Sequence, residues 1–214
     1  MSDGYQPNPA PAPTPVPTSA DQVIGEATSI LGTFMKDPVG SVRAAWDQKK
    51  LVMALVVAGG FVVVQLLNSI LSGWGYSKFG AILLNWIRYS VTEIVLLAVL
   101  AFVCTLLVHG HDSTGIVGAL SGVGVAAIPY LAAFAASTVV LLIERILPFG
   151  VMVWICNLLQ AALGAPFYIA MFILLALAVR RKTLREDDYT VAKNTVVLAV
   201  AFFVANYLVT WLLW

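Results

Sequence analysis

The segment LVMALVVAGGFVVVQLLNSILS, residues 51–72, has no charged side chain. As an α helix it would be about 33 Å long at 1.5 Å per residue, enough to cross the hydrocarbon core of a bilayer, about 30 Å thick. Similar apolar segments follow it along the chain. We therefore predict a bundle of five transmembrane helices, at about 51–72, 82–109, 116–143, 147–179 and 191–214.

The overall composition also indicates a membrane protein. Of the 214 residues, 60% are hydrophobic and 11% are charged, whereas a soluble domain has about 25% charged residues. The net charge of +1 gives no strongly basic surface, so a nucleic-acid partner is not expected. The sequence thus predicts an all-α integral membrane protein with a transmembrane domain over 51–214.

Two segments of different character precede the first span. Residues 1–19 contain six prolines, which predicts an extended, disordered Pro-rich tail. In residues 20–50, apolar side chains recur at helical spacing, most clearly within 23–35. This pattern predicts amphipathic helices that lie at the membrane interface or pack on the bundle. Asp37 and Pro38 mark a boundary between two such helices, because Asp caps helix starts and Pro fits the first turn.

The distribution of basic residues predicts the orientation in the membrane. Loops rich in Lys and Arg stay on the cytoplasmic side. With five spans and a cytoplasmic N-terminus, nine basic residues lie inside and three outside. A break of the fourth segment at 164–166 would create a sixth span and move the basic residues 180–182 outside, which reverses this bias. We therefore expect five spans, with the N-terminus cytoplasmic and the C-terminus outside.

Small residues and prolines predict how the spans pack. The third segment carries a row of glycines, Gly115, Gly118, Gly122 and Gly124. Gly118 and Gly122 have the spacing that lets two membrane helices approach closely. The partner helix could belong to the same chain or to another copy. Pro129 and Pro166 lie within the third and fourth predicted spans, where they are expected to produce kinks.

One cluster has residue types that bind metals. His109, His111 and Asp112 follow the second span, and imidazole and carboxylate groups can ligate zinc or another divalent metal. A metal site normally needs three or four ligands, and the chain has no other histidine. A short polar turn is the favoured interpretation, so we expect no metal and no cofactor. Familiar catalytic motifs such as H-E-x-x-H, G-x-S-x-G and the P-loop are also absent from the sequence, so an enzyme is not expected.

Polar residues inside the predicted spans form the other candidate site. They are Gln65, Asn68, Glu93, Asn157 and Gln160. An ionisable residue within a span is a functional candidate, although Arg88 lies five residues before Glu93 and both could be interfacial. The amides could line a pore or hold helices together by hydrogen bonds. Convergence on one water-filled cavity would favour transport, and pairing in a dry core would favour a structural role.

The layout of the chain resembles that of a known family. A Pro-rich tail leads to short amphipathic helices containing 34–38 (FMKDP), and five spans follow. The segment 115–120, leading on to 127–130 (AIPY), is similar to the third span of the Yip-domain family. Members of that family are polytopic membrane proteins named for interaction with Ypt/Rab-type GTPases.

The resemblance implies a bacterial-type member in the plasma (bacterial inner) membrane. Its expected role is non-enzymatic, in membrane organisation or in a trafficking-like process. Its expected partners are membrane lipids, other membrane proteins or a second copy of the chain. The alternative hypothesis is a small transporter or channel subunit with a polar path between its helices.

Overall fold

The computed structural model describes residues 19–73, 75, 78–108, 115–147, 150–182 and 188–213. Within this part of the chain the regular structure is helical, without β strands. The helices are α1 (Ala20–Phe34), α2 (Pro38–Gln48), α3 (Leu51–Gly73), α4 (Phe79–Val108), α5 (Gly115–Ala126), α6 (Ile128–Ile146), α7 (Gly150–Lys182) and α8 (Asp188–Leu213). The predicted Pro-rich tail, up to residue 18, lies outside the described residues.

Five of these helices are long and apolar enough to cross a membrane. They are α3, α4, α6, α7 and α8. The prediction of an all-helical protein with five such helices is therefore confirmed. Many of their large apolar side chains point outward and are exposed, as expected where lipid is the surrounding solvent.

The third segment differs from the prediction of a single kinked helix over 116–143. It forms two helices, α5 and α6, with a break at Ala127. The physical reason is Pro129, which has no backbone N–H to donate to the carbonyl four residues earlier and restricts the residue before it. Pro129 therefore lies in the first turn of α6 and does not bend a continuous helix. With 12 residues, α5 is about 18 Å long and too short to cross the bilayer.

The fourth segment remains one helix. Pro166 lies inside α7, which continues without interruption from Gly150 to Lys182. The six-span alternative required two helices separated at 164–166, and that separation is not found. Together with the break at Ala127, this means that the two prolines have different effects in the two spans.

The N-terminal helices begin at side-chain caps. The Gln22 N–H donates to Ser19 Oγ at 3.3 Å, and the Gly40 N–H donates to Asp37 Oδ1 at 2.8 Å. Pro38 is the first residue of α2, as its fixed φ favours. The helix ends at Lys49, whose positive φ of 53° turns the chain towards α3.

Helix α2 packs into one end of the bundle. Trp46 is 1% exposed and Val42 is fully buried. The Arg43 side chain donates from Nη2 to the carbonyl of Leu177 on α7 at 3.0 Å. The Trp46 ring packs against Gly122 of α5. A Cβ added to Gly122 would be 2.7 Å from the nearest ring atom. This end of the bundle is therefore a tightly packed core to which α2 contributes.

Candidate functional site

A polar cavity opens at the other end of the bundle, where α3 ends and α4 begins. Its volume is about 410 Å³. The described residues that line it are Gln65, Asn68, Ser69, Ser72, Gly73, Ile82, Asn85, Tyr89, Phe134, Leu141 and Gln160. They come from α3, α4, α6 and α7, so the cavity is formed only when these four helices pack together.

Three of the predicted polar residues meet at this cavity. Gln65 and Asn68 reach it from α3, and Gln160 reaches it from α7. Asn157, one turn from Gln160, is instead exposed on the outside of α7. Glu93 is not among the lining residues. The sequence therefore identified part of the cavity wall, and it missed Asn85, which completes the set of amides.

The chemistry of the wall is polar but uncharged. The lining groups that form hydrogen bonds are carboxamides and hydroxyls, and none of the described lining residues is Asp, Glu, Lys or Arg. Ser69 Oγ and Gln160 Nε2 are buried and have no hydrogen-bond partner among the described residues. Buried polar atoms are normally satisfied by protein, water or ligand. Neither atom has accessible surface, so both are unsatisfied within the packed wall and not on its open face.

A second layer lies one helical turn deeper than the cavity wall. On each of three helices, a residue of the wall and a residue of the deeper layer are four positions apart in the sequence. This spacing places both on the same face of the helix. The pairs are Gln65 and Phe61 on α3, Tyr89 and Glu93 on α4, and Phe134 and Tyr130 on α6. The deeper layer thus lies below the wall, and its three residues do not line the cavity themselves.

A chain of three hydrogen-bonding side chains crosses this deeper layer. Tyr130 Oη lies 2.9 Å from both Glu93 Oε1 and Glu93 Oε2. Tyr168 on α7 donates its hydroxyl to Tyr130 Oη, also at 2.9 Å. Glu93 is the fifteenth of the 30 residues of α4, which places it about 20 Å from either end of the helix. It therefore lies midway along α4, within the bundle.

Aromatic rings surround this chain of hydroxyls. The Tyr130 ring centroid is 4.8 Å from that of Phe61 and 4.4 Å from that of Tyr168. Phe202 of α8 contacts Tyr168 edge-on at 5.4 Å. Such contacts add to packing stability and fix the orientation of the rings. The three polar groups are therefore held in a largely apolar environment.

Sequence reasoning missed the roles of Tyr130 and Tyr168. Each lies in an apolar helix close to a proline, Tyr130 one residue after Pro129 and Tyr168 two residues after Pro166. A buried tyrosine hydroxyl normally needs a polar partner, and this was the available signal. The partner itself could not be read from the sequence, because Tyr130 and Glu93 are 37 residues apart.

The glycines of the third segment lie at contacts within the chain. Gly118, Gly122 and Gly124 are buried in α5. A Cβ on Gly124 would be 2.6 Å from the backbone nitrogen of Ala54, so α5 and α3 approach closely there. Gly115 has a positive φ of 61° and no neighbour near its Cβ position. Its role is to begin α5 in a conformation that other residues rarely adopt.

The predicted metal-binding candidates His109, His111 and Asp112 lie outside the described residues. In the described part of the chain, no group of three or more His, Cys, Asp or Glu side chains could hold a metal ion. Cys104 and Cys156 are buried free thiols on different helices.

Comparisons of the chain with protein-family models, with curated proteins and with solved structures find no match. Functional inference therefore rests on the cavity, the deeper layer and their chemistry.

Proposed function

We propose that this protein binds a small uncharged polar solute in the cavity between α3, α4, α6 and α7, as a small transporter or channel subunit. The observation that supports the proposal best is the convergence of Gln65, Asn68 and Gln160 on one cavity. Amides that only hold helices together would pair with one another in a dry core. Here they face a shared space of about 410 Å³, within the usual range of ligand pockets, about 300–1,000 Å³.

The wall chemistry supports the choice of an uncharged solute. An ion in a low-dielectric site requires compensating charge, and the described lining residues supply none. Carboxamides and hydroxyls offer both donors and acceptors. A polyol or a small amide could form hydrogen bonds with the carboxamides of Asn68 and Asn85, which line the cavity and are partly exposed.

The break in the third segment gives further support. Transporter binding sites are often built where a membrane helix is discontinuous. The break at Ala127 lies three residues before Tyr130, directly below the cavity. Ala127 is fully buried, as expected for irregular backbone at membrane depth.

We place the protein in the plasma (bacterial inner) membrane with its N-terminus cytoplasmic and its C-terminus outside. In this orientation α2 closes the cytoplasmic end of the bundle, and the polar cavity opens towards the outside. The support for this orientation is the excess of basic residues in the segments assigned to the cytoplasmic side.

Solute entry can be tested in proteoliposomes by light scattering after an osmotic step with glycerol or urea. Gln160→Leu removes a wall amide and should slow solute entry. Asn157→Leu is the matched control, because it makes the same change one turn away on the exposed face of α7. Equal rates for wild type, both variants and empty liposomes would contradict the proposal.

A second candidate function follows from the outer surface of α1. Phe34 is buried against the bundle, whereas Ile24, Leu31 and Met35 are 63%, 45% and 77% exposed. An outward apolar face on a short helix suits insertion into the lipid interface. It supports the Yip-like role in membrane organisation, through lipids, membrane-protein partners or a second copy.

The two candidates predict different results in a pull-down from gently solubilised native membranes. A reproducible protein partner that is lost on Met35→Glu, but kept on Gln160→Leu, would favour membrane organisation. Solute entry that depends on Gln160 in a protein without such a partner would favour transport.

A further inference from the structure

We propose that Glu93 is a proton-binding site whose occupancy controls access to the polar cavity, with Tyr130 and Tyr168 as its hydrogen-bonding partners. This inference rests on the proposed solute cavity, and it adds a coupling proton to it. The supporting geometry is the continuous chain from Tyr168 to Tyr130 to Glu93, one turn below the cavity wall.

The three hydroxyl and carboxyl groups can accommodate Glu93 in both protonation states. A tyrosine hydroxyl has one hydrogen and two acceptor lone pairs. With an ionised carboxylate, Tyr130 shares its hydrogen between the two oxygens, which are both 2.9 Å away. With a protonated carboxyl group, Tyr130 donates to one oxygen and accepts from the other, while still accepting from Tyr168. The proton can bind and leave without a large displacement of the side chains.

The proton step changes no other bond. One proton from water adds to a carboxylate oxygen of Glu93, which is part-buried, and the same proton returns to water in the reverse direction. No electron transfer or further reactant is involved. The net change is one unit of charge at the centre of the bundle, where charge is poorly screened.

Few other ionisable groups face Glu93. From α6 and α7 they are Tyr130 and Tyr168, and α3 and α5 contain no ionisable side chain. On α4 itself, Arg88 and Tyr89 lie about one turn nearer the cavity mouth. On α8, Asp188, Tyr189 and Lys193 lie near its start, and Tyr207 is exposed. The charge of Glu93 is therefore governed by its own proton and by the two tyrosines.

A change at Glu93 can reach the cavity wall through packed rings. The Phe61 ring centroid lies 4.8 Å from Tyr130 and 5.9 Å from Phe134, which is itself a wall residue. A change in the hydrogen bonds of Tyr130 acts on Phe61 through their ring contact, and Phe61 in turn contacts Phe134. Phe134 is the wall side chain through which this change can reach the cavity.

The proton site can be tested by infrared difference spectroscopy on the full chain in liposomes, between acidic and neutral buffer. The wild type should show a carbonyl band of a protonated carboxyl group that disappears on neutralisation. Glu93→Gln should lose this band. Tyr130→Phe should shift it, because both hydrogen bonds between Tyr130 and the carboxyl group are removed. Glu144→Gln, near the end of α6, is the matched control and should keep it. A Glu93→Gln spectrum identical to that of the wild type would overturn the proposal.

Control of access can be tested by alkylation with N-ethylmaleimide, a small uncharged probe. Asn68→Cys reports on the cavity wall, and Lys78→Cys, which is exposed and does not line the cavity, serves as the reference. Both are made with Cys104→Ala and Cys156→Ala. The ratio of the two rates should change between acidic and neutral buffer and become constant when Glu93→Gln is added. A ratio that is already constant with Glu93 present would overturn the coupling.

The two experiments separate failure of this inference from failure of the proposed function. If N68C is not alkylated at either pH, the cavity does not admit a polar solute and the proposed function is wrong. The infrared band still reports whether Glu93 exchanges its proton. If N68C is alkylated at a pH-independent ratio, the cavity remains and the coupling is wrong.

Discussion

Gly124→Ala tests how closely α5 packs on α3. The new Cβ would be 2.6 Å from the backbone nitrogen of Ala54 and 2.8 Å from its Cβ. Ordinary van der Waals contact for a Cβ begins at 3.4 Å, so the contact with the nitrogen is about 0.8 Å too close. Because a helix backbone cannot rotate away as a side chain can, α3 and α5 must separate.

This separation should be costly because it disturbs a packed core. Inserting one extra methyl group into a well-packed interior typically costs about 1–3 kcal/mol, and eight of the 12 residues of α5 are buried, Gly124 among them. The matched control is Gly59→Ala on α3, where nothing lies within 4 Å of the added Cβ. That change should stabilise the protein by about 0.5–1 kcal/mol, because alanine is the better helix former.

The two variants can be compared by unfolding in mixed detergent micelles, with helix content measured by circular dichroism. We expect opposite signs, with a difference of about 1.5–4 kcal/mol between the two free energies of unfolding. The free energy of unfolding of Gly122→Ala should lie between those of the other two variants, because its added Cβ contacts the Trp46 side chain and not a backbone. If Gly124→Ala and Gly59→Ala have the same stability, close approach of α5 and α3 is not required for the fold.

Three further changes test other contacts. Trp46→Ala should leave a cavity at the α2 end and lower the free energy of unfolding by about 3–5 kcal/mol, measured by the same unfolding assay. Trp86→Phe removes the 2.8 Å hydrogen bond from Nε1 to the Val62 carbonyl and should cost about 1 kcal/mol, with a loss of hydrogen-exchange protection where α3 meets α4. Lys50→Ala breaks the 3.8 Å ion pair with Glu26; it should cost less than about 1 kcal/mol, and less still in high salt.

The five long helices could be predicted because their signal is local. A run of apolar residues such as 51–72 must be helical in lipid, since every backbone N–H and C=O needs an internal partner. The ends of α3 and α4 follow from the same condition. The boundary at Asp37 could be predicted as well, because a cap is a local contact between neighbours, here with the Gly40 N–H.

The break in the third segment could not be predicted, because a proline in an apolar run is not sufficient to cause one. Pro129 and Pro166 both lie within long apolar runs, but only the segment containing Pro129 divides into two helices. The side-chain environments differ: Ala127 is fully buried before Pro129, whereas Pro166 lies on an exposed part of α7. The two prolines thus lie in surroundings of different burial, and burial is a tertiary property that the local sequence does not give.

The candidate site was predictable in its residue types and not in its arrangement. Gln65, Asn68 and Gln160 could be identified as candidates because polar side chains within a membrane span are energetically costly and often functional. Asn157 attracted the same attention but is exposed on α7. Its position differs from that of Gln160 by less than one turn, so only the packing of α7 against its neighbours could separate the two.

The break at Ala127 also explains why the polar layers lie where they do. A continuous helix over 116–143 would carry its small residues and Tyr130 on one rigid axis. With two helices, the glycines of α5 can approach α3 closely, while α6 is free to direct Tyr130 towards Glu93 and Phe134 towards the cavity. The tight packing at the α2 end and the open cavity at the other end therefore lie on opposite sides of the break. If a substitution of Pro129 by Ala joined α5 and α6 into one helix, both the Gly124 contact and the Tyr130–Glu93 hydrogen bonds should be lost together.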